Sequence, residues 1–188
     1  MGPALARASR ALAAGKLVVY PTDTLLGLGV RASDPAAVAH LDEVKQRAPG
    51  QPLSIAVSST EEVEPWADLT PTARRWMRRH LPGPYTVLLR PSAHARATLA
   101  ASIVPDGGAI AVRVPDHPVA RALARRAGPV VATSANRHGS PPARTVAAAR
   151  RAFGSAVAVY LAAEPAPAGR PSTFVDLQGS EPTVRARR

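Results

Sequence analysis

Short apolar runs, each stopped by a proline, a glycine or a polar cluster, alternate along this chain with Ala/Arg-rich segments of helical spacing. The runs are residues 17–20 (LVVY), 53–57 (LSIAV), 85–89 (YTVLL), 109–114 (AIAVRV), 130–133 (VVAT) and 157–161 (VAVYL). They lack the clean apolar/polar alternation of a strand with one wet face, so most are read as strands buried on both faces. Residues 172–177 and 183–187 are read as final strands. Strands alternating with helices set the fold class: α/β, with a mostly buried sheet flanked by helices. Residues 85–113 hold two strands with no clear helix between them, which makes the sheet mixed.

The intervening segments carry ordinary helix signals. Residues 3–14 place Leu5, Ala8 and Leu12 on one face. Ser33 or Asp34 caps the next helix, with Pro35 in its first turn and Val38, Leu41 and Val44 following. Residues 61–81 are read as helical with a break near Pro71, where Thr70 is a good cap. Asp116 is read as the cap of a helix running to about residue 127, and residues 145–153 form another. The segments 21–29 (PTDTLLGLG), 47–52 (RAPGQP) and 164–171 (EPAPAGRP) are read as loops, the last as a mobile one. No linker divides the chain, so residues 1–188 are taken as a single domain, long enough for a substantial core.

The formal net charge is +11 and there is no cysteine. The first removes no partner and invites polyanions such as RNA. The second removes disulfide frameworks and thiolate metal sites and fits a reducing cytoplasm. Aromatic residues are only 4% of the chain, which argues against a stacking platform for single strands. An amphipathic helix explains the Ala/Arg-rich N-terminus better than a transit peptide does, and no apolar run approaches the roughly 20 residues of a membrane span.

Polar residues gather just past the strands, where open α/β sheets bind ligands. Thr22, Asp23 and Thr24 follow the first strand, Ser134 and Asn136 follow a later one, and Arg113 closes another. Lys45-x-Arg47 ends a helix, and Lys45 is unusual in itself: Lys16 is the only other lysine. A lysine and an arginine so placed suit a polyphosphate, although cations at a helix C-terminus also answer the helix dipole. Arg113 stands between Val112 and Val114 and either faces away from them into a cleft or sits on an edge. Asp23 is read as closing an Asx-turn. His94, His117 and His138 are read as surface residues without metal-ligand spacing. No Walker loop or nucleophile elbow occurs, and GLG at 27–29 is too short for a dinucleotide fingerprint.

Taken in order, VVYPTDTLLGLG, KQRAPGQPLSIAV, LPGPYTVLL, AVRVPDHPVA, ATSANRHGSPPA and RPSTFVD resemble the motifs of the YrdC-type threonylcarbamoyl-AMP synthase family, in its single-domain form. The resemblance spans nearly the whole chain. It implies a twisted mixed sheet around a large basic cleft. It also implies a reaction: L-threonine, bicarbonate and ATP give threonylcarbamoyl-AMP and pyrophosphate. A downstream transfer complex then modifies tRNA. By the same resemblance Lys45, Arg47, Gln51, Asn136, Thr145 and Arg185 contact ATP, while Thr24, Arg113, Ser134 and Ser172 hold threonine, with Arg113 on its carboxylate. Lys45, Arg47, Ser134 and Asn136 would carry the chemistry. Mg²⁺ would accompany the triphosphate on phosphate oxygens and water, with no protein ligand assigned.

Two positions depart from that pattern. Leu26 stands where the family usually has an aromatic residue, and Ala56 where many members have a histidine. Both fall on the amino-acid side. A basic RNA-binding module that has kept the fold and lost the chemistry is the competing reading. A carbamoyl-adenylate enzyme of the hydrogenase-maturation type fits less well, because its acylphosphatase and zinc-finger segments are missing from this sequence.

Overall fold

The computed structural model describes residues 2–47 and 51–186. In chain order the first half holds α1 (Gly2–Ala13), β1 (Leu17–Pro21), β2 (Leu26–Gly29), α2 (Pro35–Lys45), β3 (Ser54–Ala56), β4 (Ala67–Asp68), α3 (Pro71–His80), β5 (Tyr85–Pro91) and α4 (Ala93–Thr98). The second half holds β6 (Ile110–Arg113), α5 (Pro118–Ala127), β7 (Val130–Val131), β8 (Thr133–Ser134), α6 (Val146–Phe153), β9 (Val157–Tyr160), β10 (Thr173–Asp176) and β11 (Thr183–Arg185).

The expected mixed α/β architecture is present, built as two hydrogen-bonded sheets. One has the order β8-β2-β1-β9; the other runs β11-β10-β5-β6-β3-β7, with β4 pairing onto β5. The sheets meet at the segment expected to be one strand. Val130 and Val131 pair with β3, whereas Thr133 and Ser134 pair with β2, so the chain changes sheets at Ala132. Ser54 fixes that crossing from both sides: its Oγ donates to the Ala132 carbonyl at 2.6 Å, and its own carbonyl accepts the Ala132 amide at 2.7 Å.

Burial on both faces is visible in β1. Leu17 and Val19 join a cluster that runs on through Ile55, Val87 and Val112 of the second sheet. Val18 and Tyr20 point the other way, into a cluster with Leu5, Ala8 and Leu12 of α1 and Val119 and Leu123 of α5. The period of two that a strand imposes therefore serves two cores at once.

Several local readings need correction. Residues 26–29 are a strand: β1 and β2 form an antiparallel hairpin in which Tyr20 pairs with Gly27 and Val18 with Gly29. The glycines are there for the Tyr20 ring. A Cβ on Gly27 would lie 2.9 Å from that ring, and one on Gly29 would strike the Val131 carbonyl. Thr22 closes the turn, its Oγ accepting the Thr24 and Leu25 amides at 3.2 Å each, so Asp23 is released from the Asx-turn role. Between 61 and 81 only a 3₁₀ turn (Glu61–Val63) and α3 are helical, and β4 intervenes. The short helix α4, capped by Ser92, escaped the sequence reading. Helix α5 is capped by His117, whose ring accepts the Val119 amide, and not by Asp116.

The other caps fall where the sequence puts them. Asp34 accepts the Ala37 amide, Thr70 the Ala73 amide and Thr145 the Ala148 amide. Helix α2 ends as Gln46 turns to φ 56° and donates its amide to the Asp42 and Glu43 carbonyls. That left-handed step redirects the chain immediately after Lys45.

Candidate active site

A cleft opens where the two sheets face each other. From the first sheet and its turn come Tyr20, Thr22, Thr24, Leu25, Leu26, Gly27, Thr133 and Ser134; across from them are Ser54, Thr86, Arg113, Ser172 and Phe174. Thr24, Arg113, Ser134 and Ser172, the four residues expected to hold an amino acid, all line it. The second sheet brings Thr86 and Ser172 together through the parallel pairing of β10 with β5, and their hydroxyls are 2.8 Å apart.

Arg113 is the charged centre of the cleft. It is the last residue of β6 and only 8% exposed, so it faces the cleft and not an edge. Its Nη2 donates to Asp23 Oδ1 at 3.0 Å and to Thr24 Oγ at 2.8 Å. Asp23 is thus the counter-ion of Arg113, and its other oxygen, Oδ2, is buried without a hydrogen bond. Tyr20, wholly buried beneath the hairpin, donates to the Val131 carbonyl at 3.3 Å. Burial pushes its phenol up to about 12, against a smaller opposing pull from the Arg113 charge.

Lys45 is almost completely buried and reaches the Ser134–Asn136 segment. Its Nζ donates to the Ser134 and Asn136 carbonyls, each at 2.6 Å. Ser134 Oγ in turn donates to Asn136 Oδ1, and the Asn136 amide group donates to the carbonyls of Arg137 and Ser140. The lysine, the serine and the asparagine therefore form one hydrogen-bonded unit beside the cleft. Burial, and then the like charge of Arg47, lower the Lys45 pKa to about 8.

The remaining expected residues stand apart from this unit. Arg47 forms an ion pair with Asp42, Nε to Oδ1 at 3.0 Å but off-line for a hydrogen bond, and donates from Nη2 to the Gln51 and Pro52 carbonyls. Gln51 enters only through that carbonyl. Thr145 spends its hydroxyl on the α6 cap and is exposed. Arg185, on edge strand β11, forks from Nε and Nη2 onto Asp176 Oδ2 at 3.2 and 2.9 Å.

The sequence reading placed Thr22 in the polar cluster after the first strand but missed Ser54, Thr86 and Phe174 as lining residues. Ser54 and Thr86 sit inside apolar runs, and a polar residue in a doubly buried strand was the available signal. Of the departures, Leu26 does line the cleft, whereas Ala56 is buried in β3.

A hydroxyl-rich cleft around one buried arginine, at the strand ends of a mixed α/β fold, has the shape and chemistry of a small-ligand site. The family model for Sua5/YciO/YrdC, described as telomere recombination, matches residues 10–188, and the chain belongs to that family. The chain is similar, at 41% identity over 94% of both sequences, to a protein of Chromohalobacter salexigens named threonylcarbamoyl-AMP synthase. Among solved structures it resembles P. abyssi Sua5 complexed with L-threonine, with a TM-score of 0.87 and 31% identity, covering 96% of this chain. The chain spans about half (52%) of the length of that Sua5 chain. It also resembles the MTH1692 protein from Methanobacterium thermoautotrophicum, with a TM-score of 0.76 and 37% identity, covering 99% of this chain and 86% of that one.

Proposed function

We propose that this protein is an L-threonylcarbamoyl-AMP synthase, joining L-threonine and bicarbonate to the adenylyl group of ATP and releasing pyrophosphate. The observation that supports this best is the convergence of Thr24, Arg113, Ser134 and Ser172 on one cleft, with the Lys45–Ser134–Asn136 unit beside it.

The amine of threonine attacks the carbon of bicarbonate and water is lost, leaving a carbamate. A carbamate oxygen then attacks the α-phosphorus of ATP. The bond to the α–β bridging oxygen breaks, and pyrophosphate departs with that electron pair. Neither step needs a protein nucleophile, so the work falls to positioning and charge. Arg113 pairs with the threonine carboxylate while Asp23 steadies it from behind, and Thr24 and Ser172 present hydroxyls to the amino acid. Ser134 stands between the two half-sites. Lys45 and Arg47 supply positive charge for the triphosphate, with Asn136, Gln51, Thr145 and Arg185 on the nucleotide side. Arg47 reaches phosphate by exchanging its Asp42 ion pair for it.

Among the described residues no cluster of three or more His, Cys, Asp or Glu side chains is placed to hold a metal. We place Mg²⁺ on the phosphates and water of ATP, as a hard cation on a triphosphate prefers, and no step is routed through it. Among the described residues no helix is long and apolar enough to cross a membrane. We assign the protein to the cytoplasm, and assign tRNA and a threonylcarbamoyl transfer complex as the consumers of its product, in keeping with the net charge of +11.

Incubation with ATP, labelled bicarbonate and L-threonine, read by mass spectrometry, tests this. The labelled threonylcarbamoyl-AMP mass is expected. Protein that binds ATP yet forms no adduct with any amino acid would overturn the proposal.

A further inference from the structure

His117 is completely buried and is not among the residues lining the cleft. Its two ring nitrogens meet opposite kinds of partner. The Val119 amide, which can only donate, lies 3.2 Å from Nδ1. The Pro165 carbonyl, which can only accept, lies 3.1 Å from Nε2. One state satisfies both: the neutral ring with its proton on Nε2.

Pro165 begins a strap that returns to the hairpin turn. The Ala168 amide donates to the Asp23 carbonyl at 3.1 Å, and the Gly169 amide donates to the Thr24 carbonyl at 2.8 Å. The side chains of the same two residues, Asp23 and Thr24, accept from Arg113 Nη2. These two turn residues are thus gripped on one side by the strap and on the other by the arginine of the cleft. Residues 164–166 and 168–170 are exposed, so the strap buries little apolar surface of its own and depends on its polar anchors.

We propose that His117 is a positioning residue for the amino-acid half of the site. Through Pro165 and the strap it fixes the Asp23–Thr24 backbone, and through those residues the direction of Arg113. The inference rests on reading the cleft as the threonine site. A guanidinium that recognises a carboxylate by geometry loses affinity when its supports shift by a fraction of an ångström, and a shared turn transmits such a shift directly.

Two substitutions divide the ring's roles. His117→Asn keeps an oxygen where Nδ1 caps α5 but cannot reach Pro165. His117→Gln places an amide nitrogen near Nε2, preserving the strap anchor and giving up the cap. Hydrogen exchange at Ala168 and Gly169, measured without substrate, is expected to quicken in His117→Asn and stay near wild type in His117→Gln. The threonine KM is expected to rise about fivefold in His117→Asn, equivalent to roughly 1 kcal/mol, the worth of one ordinary hydrogen bond. The ATP KM and kcat stay unchanged. His117→Gln restores the threonine KM while lowering the melting temperature. Wild-type exchange and wild-type threonine KM in His117→Asn would overturn the proposal. So would an equal rise in the threonine and ATP constants. If the wild-type protein itself shows no threonine turnover, the functional reading fails, and the exchange arm alone decides whether His117 holds the strap.

Discussion

Replacing Arg113 with methionine separates what this residue does for the fold from what it does for the ligand. The Arg113 and Asp23 side chains are only 9% and 12% exposed. Asp23 Oδ2 already lacks a hydrogen bond, so removing the guanidinium strips the carboxylate of its counter-ion and of the bond at Oδ1. Breaking a buried pair from one side costs about 3–5 kcal/mol, because the surviving charge stays buried. Arg113→Met should therefore lower unfolding free energy by that amount. Adding Asp23→Asn removes the stranded charge and should return at least about 2 kcal/mol, a coupling of the size seen between contacting residues. Urea unfolding of the four proteins in the cycle gives these values. Threonine-dependent pyrophosphate release, followed in parallel, should remain lost in the double variant, since nothing replaces the carboxylate partner. A cost below about 1 kcal/mol for Arg113→Met would put the pair in the range of a surface ion pair and refute the energetic argument. A normal threonine KM in the double variant would refute the assignment of Arg113 to the carboxylate.

Other outcomes follow from the same geometry. Arg47→Ala should cost roughly 2–4 kcal/mol of transition-state stabilisation, read as a fall in kcat at saturating ATP; wild-type turnover there would remove Arg47 from the reaction. Gly29→Ala drives a methyl into the Val131 carbonyl and the Val130 side chain and should destabilise by about 1–3 kcal/mol, measured by urea midpoint. Lys45 has a pKa lowered to about 8, while a lysine in the unfolded chain holds its proton to 10.5. The unfolded state therefore binds more protons between those values. Unfolding free energy should rise with pH from about 8 toward 10, the penalty being fully present below 8, with a ceiling of roughly 3 kcal/mol. Urea midpoints between about pH 8 and 9, below the range in which the Tyr20 phenol of the unfolded chain begins to titrate, should rise in wild type and stay flat in Lys45→Met; a flat wild-type profile would count against the burial argument.

The sequence displayed the class of fold and four of the residues that line the cleft more fully than the rest, for physical reasons. Doubly buried strands advertise themselves as short β-branched runs, and caps such as Asp34, Thr70 and Thr145 are local chemistry. Strand β2 hid because its glycines look like breakers until the Tyr20 ring is laid across them. The division of residues 130–134 between two sheets also hid, since pairing partners far along the chain decide it. Arg113, wedged between valines in a strand, was open between a cleft and an edge on the residues alone, because a strand's alternation does not say which face another sheet covers; its burial in β6 settles that for the cleft. Its counter-ion was not legible, because Asp23 and Arg113 are ninety residues apart in the sequence and closing the PTDT turn offered Asp23 a sufficient local role. His117 was misread as surface for the same reason. Its Nε2 partner is a carbonyl some fifty residues further on, in a segment that the Pro/Ala composition of 164–171 presents as slack chain. Lys45 stood out as a lysine among arginines. Its partners, two backbone carbonyls, carry no side-chain signature at all.

The most direct measurement is pyrophosphate release from ATP in bicarbonate buffer, with and without L-threonine, and with L-serine and glycine in its place. Release that requires threonine is the predicted result, and it would show that the cleft with Leu26 in its wall selects that amino acid. Release at one rate whether or not an amino acid is present would contradict the account. So would no release with any amino acid from protein that still binds ATP.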